Sequence, residues 1–100
     1  MIEIKRYQNR EEALERIMKK DKEYTFVRHD FNQGKIIEAH HHPVNEWVIV
    51  DSGRCEVTLG LETLLVEPKE EALVIYFAKK GKHGLKCLTD ISYWVLRDRT

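Results

Sequence analysis

Beyond residue 22 the chain is a series of short runs in which apolar and polar positions alternate, and one helical stripe precedes them. Ile2 to Tyr7 alternates and predicts a first strand. Asn9 to Lys22 predicts a helix, with Asn9 as N-cap and Glu11 and Glu12 in the first turn against the dipole. Leu14, Ile17 and Met18 give that helix one apolar stripe. Such a stripe is read as packing, against the outside of the strands or over one end of them. Further strands are expected over Glu23–Phe31, Lys35–His42, Glu46–Asp51, Arg54–Leu59, Glu62–Val66, Ala72–Phe77, His83–Leu88 and Ile91–Leu96. Asp51-Ser52-Gly53 is a turn, Gly60 separates two strands, and Pro68 to Glu71 is a charged loop. The unbroken apolar run Ala72–Phe77 fits a buried central strand. Short strands with turn signals every few residues predict an all-β sandwich or barrel.

Several strands are apolar on both faces. Trp47 and Ile49 face opposite to Glu46, Val48 and Val50, and Trp94 and Leu96 face opposite to Tyr93 and Val95. One face lines the interior, so the other needs a cover. The helix covers part of it, and the expected cover for the rest is a second copy of the chain, in a C2 homodimer.

One strand carries chemistry. In extended backbone His40 and His42 project the same way and His41 the other way, while Pro43 interrupts pairing and Glu46 follows on the next strand. Two imidazoles and a carboxylate on one wall are the ligand types of a divalent transition metal. The alternative is a solvated histidine loop. Against that stand the apolar residues on both sides, Ile36 and Ile37 before and Trp47 to Val50 after. An ionisable cluster between buried segments is costly unless something satisfies it.

The stretch GKIIEAHHHPVNEWVIVDSG resembles the first motif of the cupin superfamily, G-x5-H-x-H-x3-E-x6-G, with Gly34, His40, His42, Glu46 and Gly53 on every fixed position. The resemblance implies a double-stranded β-helix, or jelly-roll, barrel with a metal held inside it. It also implies that His40, His42 and Glu46 are ligands, joined by a third histidine from a second motif, G-x5-P-x-G-x2-H-x3-N. His83 is the only histidine after Gly53 and takes that place. Around it the pattern departs: Ala72, Ala78, Lys80 and Cys87 stand where the motif has Gly, Pro, Gly and Asn, and Gly81 is displaced by one. The resemblance spans about half the chain, from Gly34 to Cys87.

The 100 residues predict one domain over 1–100, with a strand and helix over 1–22 and the barrel over 23–100. Lysine plus arginine and aspartate plus glutamate both total 17, for zero net charge. No basic stripe points to nucleic acid, and no polybasic segment points to anionic lipid. No apolar run approaches a membrane span, and Met1 to Lys5 does not read as a signal peptide, so the cytoplasm is the expected location. A charged fraction of 34% with few Asn and Gln hints at a thermophilic source.

In that compartment Cys55 and Cys87 are not expected to form a disulfide. Cys55 reads as core, and Cys87 shares parity with His83 and Leu85 and is a candidate for the pocket. Arg28 and His29 lie on opposite faces of one strand, so at most one points in, and Arg28 is the candidate taken. Tyr24, Phe77 and Tyr93 are candidates for an apolar lining, as is Phe26, each weighed against plain core packing. No phosphate loop or Ser/His/Asp arrangement is present. The expected function is a metal-binding cupin holding one divalent transition metal, Fe, Mn, Ni, Zn, Co or Cu. It would act on a small polar metabolite as a dioxygenase or isomerase, or serve as a non-catalytic small-molecule or metal-binding module.

Overall fold

The computed structural model describes residues 2–99; Met1 and Thr100, the outermost residues of the expected domain, lie outside them. The described residues form nine strands and one helix. They are β1 (Glu3–Tyr7), α1 (Arg10–Ile17), β2 (Tyr24–Phe31), β3 (Ile36–His40), β4 (Glu46–Val50), β5 (Cys55–Leu59), β6 (Glu62–Val66), β7 (Ala72–Phe77), β8 (His83–Cys87) and β9 (Ile91–Asp98). One sheet has the order β1-β7-β4-β9-β2 and the other β3-β8-β5-β6, with antiparallel pairing throughout. This is the jelly roll, with one N-terminal helix.

The two faces of the strands build two separate clusters. Val48 and Val50 of β4, Leu73, Ile75 and Phe77 of β7, and Tyr93 and Val95 of β9 join Val57, Leu85 and both cysteines in the core between the sheets. The alternate residues Ile49, Ala72 and Val74 point outward and meet Ala13 of α1, with Tyr7, Leu14, Ile17, Trp47 and Trp94 around them. The helix therefore covers the outer face of β7 and β4, and β7 is buried on both sides as its unbroken apolar run requires.

α1 is shorter than the sequence predicts. Asn9 caps it, its Oδ1 accepting the Glu12 N–H at 2.9 Å. It stops at Ile17, because Met18 is extended at φ −74° and ψ 128°. The next residues, Lys19 to Lys22, are polar and have no apolar stripe to bury, so packing gives nothing for continuing the helix. They form a turn instead, with the Lys19 N–H donated to Tyr24 Oη at 2.9 Å. Met18, expected in the apolar stripe, is exposed.

The turn after β7 shows why the second motif reads as degraded. The Gly81 N–H closes it on the Ala78 oxygen at 3.1 Å, and Lys80 takes a left-handed φ of +70°. The motif has glycine at that position, and turns of this kind favour glycine there. Left-handed backbone costs a side-chain-bearing residue about 1–2 kcal/mol. Glycine returns about 0.5–1 kcal/mol of this as unfolded-state entropy. Lys80→Gly should thus raise the thermal midpoint by a few degrees, and a lower midpoint in a calorimetric scan would refute the turn assignment.

Candidate metal centre

Four expected ligands come from four places in the chain. His40 ends β3, His42 lies in the following loop, Glu46 opens β4 and His83 opens β8. Strict alternation does not by itself bring His40 inside. Ile37 and His40 both line the interior pocket, and residues three apart cannot share a face of a regular strand. A register shift between Ile37 and His40 resolves this: Ile37 pairs with Leu85, and His40 with His83. Two residues on β3, Glu38 and Ala39, stand opposite one on β8, Gly84, a β-bulge that re-aims His40. Gly84 sits opposite the bulge, where a Cβ would lie 2.8 Å from the Ile37 oxygen and 3.3 Å from the Ala39 nitrogen. The site requires glycine there because backbone fills the space of a side chain.

His42 is outside any strand yet held firmly. Its carbonyl accepts the Lys80 N–H at 3.0 Å. Asn45 Oδ1 accepts the Lys79 N–H at 3.0 Å, and Asn45 gives its own N–H and its amide to Asp98 at 3.2 and 3.0 Å. The loop is thereby tied to both the β7–β8 turn and the end of β9. His83 is fixed by the Phe77 ring, stacked on it at 4.1 Å with planes 8° apart.

Hydrogen bonds orient the imidazoles. His40 Nδ1 meets the Glu38 oxygen at 2.8 Å, and His83 Nδ1 meets the Gly81 oxygen at 3.1 Å. A carbonyl only accepts, so in each ring Nδ1 carries the proton and the neutral ring presents a lone pair at Nε2. This is the backbone support that metal-ligating histidines use. His83 Nε2 is buried and, among the described residues, has no hydrogen-bond partner. Ligand nitrogens of His40, His42 and His83 all lie within 4.8 Å of one another, and could hold a metal ion.

The fourth group is Glu46, buried at the first position of β4. Its Oε2 lies 3.3 Å from His42 Nε2 and its Oε1 3.6 Å from His83 Nε2, the latter beyond hydrogen-bond distance. Arg97 is its strongest partner, donating Nε–H to Oε2 at 3.0 Å. Burial pushes the Glu46 carboxyl upward, but His83 in its cationic form and Arg97 together outweigh it and hold the group below its ordinary range.

Arg97 also approaches His42 Nε2 with Nη2 at 3.2 Å. A guanidinium only donates, so this bond needs a lone pair on His42 Nε2. The same nitrogen is 3.0 Å from His40 Nε2, which also carries a lone pair. Protonating His42 Nε2 satisfies His40 and Glu46 but then opposes Arg97. Neither tautomer satisfies every contact, whereas a cation would satisfy the facing lone pairs of His40 and His42, with Arg97 turned away. Two nitrogens about 2.1 Å from one ion at a right angle are separated by about 3.0 Å, the spacing seen here. The His42 imidazole is held below its ordinary pKa, first by burial and then by Arg97, and so is kept neutral as ligation requires.

Beside the four groups lies a pocket of about 120 Å³. Of the lining residues expected from sequence, Phe77 and Tyr93 are there. Arg28 is not. It lies on the outer face of β2, exposed and paired with Asp30 at 3.1 Å, while its neighbour His29 faces the pocket beside Phe31. Tyr24 has the same parity as Arg28 and points outward, edge-on to Trp47 at 6.2 Å. It lines a separate groove of about 360 Å³ between α1 and the sheet, which contains no histidine. Phe26 is outside too, stacked on Trp94 at 4.5 Å.

Cys87 shares the inner face with Leu85 and His83 but not the pocket. It is paired in register with Cys55, deep in the core. Burial raises both thiols, Cys55 to about 12, so neither offers a thiolate. Both cysteines are free.

No protein-family model matches the sequence, and no curated protein matches it either. Solved structures do. An RmlC-like cupin from Shewanella frigidimarina aligns with a TM-score of 0.68 at 17% identity, over 78% of this chain and 68% of that one. KdgF from a Halomonas species aligns at 0.67 and 20% identity, over 97% and 81%. Salicylate 1,2-dioxygenase from Pseudoaminobacter salicylatoxidans, as its G106A mutant, aligns at 0.69 and 15% identity, over 75% of this chain but only 21% of that one. The chain has the cupin fold.

Proposed function

We propose that this cupin-fold chain holds one divalent transition-metal ion through His40, His42, Glu46 and His83, and presents it to a small molecule in the adjoining pocket. The observation that carries the reading is the set of imidazoles with Nε2 turned toward one another, including the buried and unpartnered Nε2 of His83. Three neutral nitrogens and one carboxylate suit Mn, Fe, Co, Ni, Cu or Zn, and the donor set does not choose among them. A metal bound there would act as a Lewis acid on a ligand oxygen, or with iron support oxygen chemistry.

The chain's own residues then set the ligand. Phe31, Ile37, Phe77 and Leu85 give the pocket apolar walls, and Arg97, His29 and Tyr93 give it polar points. Such a small enclosure suits a small metabolite with few polar groups. A dioxygenase or isomerase reaction is the enzymatic form of this reading, supported by the shared fold of salicylate 1,2-dioxygenase. A binding module without turnover is the second form, favoured by how few polar groups converge beside the ligand set.

Calorimetric titration of the tag-free chain with each of the six metals tests the reading. One-to-one binding is expected at about pH 7.5. Affinity should fall as pH drops through about 6.5, since each imidazole must lose its proton to ligate. His42, with its lowered pKa, resists this competition to a lower pH than an ordinary histidine, and Glu46 stays ionised throughout. Absence of binding by every metal, or an affinity unchanged between about pH 5.5 and 7.5, would overturn it.

A further inference from the structure

We propose that the ligand of this pocket is a short-chain carboxylate, and that Arg97 receives it after giving up its bonds to Glu46 and His42; this rests on the metal-binding reading above. Aside from imidazoles, Glu46 and Arg97 are the only ionisable lining groups charged at neutral pH, and they cancel each other. A dication held at Glu46 changes that balance, leaving the lining with two net positive charges. A site carrying that charge in low dielectric calls for an anionic ligand.

Arg97 is the group placed to recognise it. It reaches the ligand set itself, with Nε on Glu46 at 3.0 Å and Nη2 on the His42 Nε2 lone pair at 3.2 Å. A metal ligated by that lone pair removes the acceptor and repels the guanidinium. The side chain is 38% exposed and can turn without crossing the core. It lines both the inner pocket and a neighbouring cleft of about 170 Å³ beside Thr25, Val27 and His29. Its planar fork then remains at the pocket mouth, free to take a carboxylate through two parallel hydrogen bonds. The apolar walls leave only a short hydrocarbon end for the rest of the ligand.

Cobalt(II)-loaded and metal-free full-length chain would be titrated by calorimetry with propionate and with propionamide, which has nearly the same shape and no charge. Propionate should bind the loaded parent at least about tenfold more tightly than propionamide, and more tightly than it binds the metal-free chain by a similar factor. Arg97→Gln should weaken propionate by about tenfold or more and Arg97→Lys by less, each compared at cobalt concentrations that saturate the variant's own metal site. Equal binding of propionate and propionamide, or undiminished propionate binding by a cobalt-loaded Arg97→Gln chain, overturns the proposal and leaves the metal reading intact. A parent that takes up no cobalt defeats both.

Discussion

Alanine at His83 should weaken metal binding by more than the roughly 10–100-fold that loss of an outer partner costs, because it deletes a ligand itself. Alanine at His42 should do the same, with less effect on folding. His83 is buried and stacked on Phe77, so its removal also takes away packing. His42 is half-buried in a loop that is held by backbone bonds and by Asn45, not by its own ring. Alanine at His41, an exposed residue, should change neither property. Competition against a chromophoric chelator measures the affinities, and far-ultraviolet circular dichroism checks the fold. A His83→Ala chain that binds metal like the parent would show that the four-ligand site is wrong. The residual site would then be His40, His42 and Glu46 alone, since Cys87 faces Cys55 and cannot substitute.

The residues that meet at the site were largely legible because they cluster in sequence. His40, His42 and Glu46 fall within one short segment, and the spacing of that segment is dictated by one turn and two strand ends. What stayed hidden was the bulge. Alternation counted from His40 puts Ile37 on the wrong face, and only the pairing with β8 reveals the extra residue. Lys80 was hidden differently: its side chain gives no sign of the left-handed backbone that the turn imposes.

Arg97 was missed for a reason of length. The last strand was expected to end at Leu96, yet β9 runs to Asp98. Extending the inward parity of Tyr93 and Val95 by one more step reaches Arg97, so the signal existed. Its meaning did not, because the register that sets Arg97 opposite Glu46 is a pairing across 51 residues. Arg28 shows the converse. Local parity left Arg28 and His29 as alternatives, and pairing with β9 decides it, placing His29 opposite Tyr93 on the inner face.

Gly84→Ala should lower stability by about 1–3 kcal/mol and the thermal midpoint by about 10 °C. The added methyl would lie 2.8 Å from the Ile37 oxygen and 3.3 and 3.4 Å from the Ala39 nitrogen and Cα. All three are backbone atoms, so no side chain can swing aside to make room. The two strands must part, or the bulge must flatten. Either movement shifts His40 against His83, whose rings are 4.7 Å apart at their centres. Metal affinity should therefore fall even at temperatures where the variant is fully folded, because ligands must be held to a few tenths of an ångström. A scanning calorimeter gives the first quantity, and metal titration well below the midpoint gives the second. A loss of stability with metal affinity intact would mean that β8 moves as a unit with β3, and that the bulge does not set the geometry of the site. An unchanged midpoint would mean that the close approach of Gly84 to the bulge is wrong.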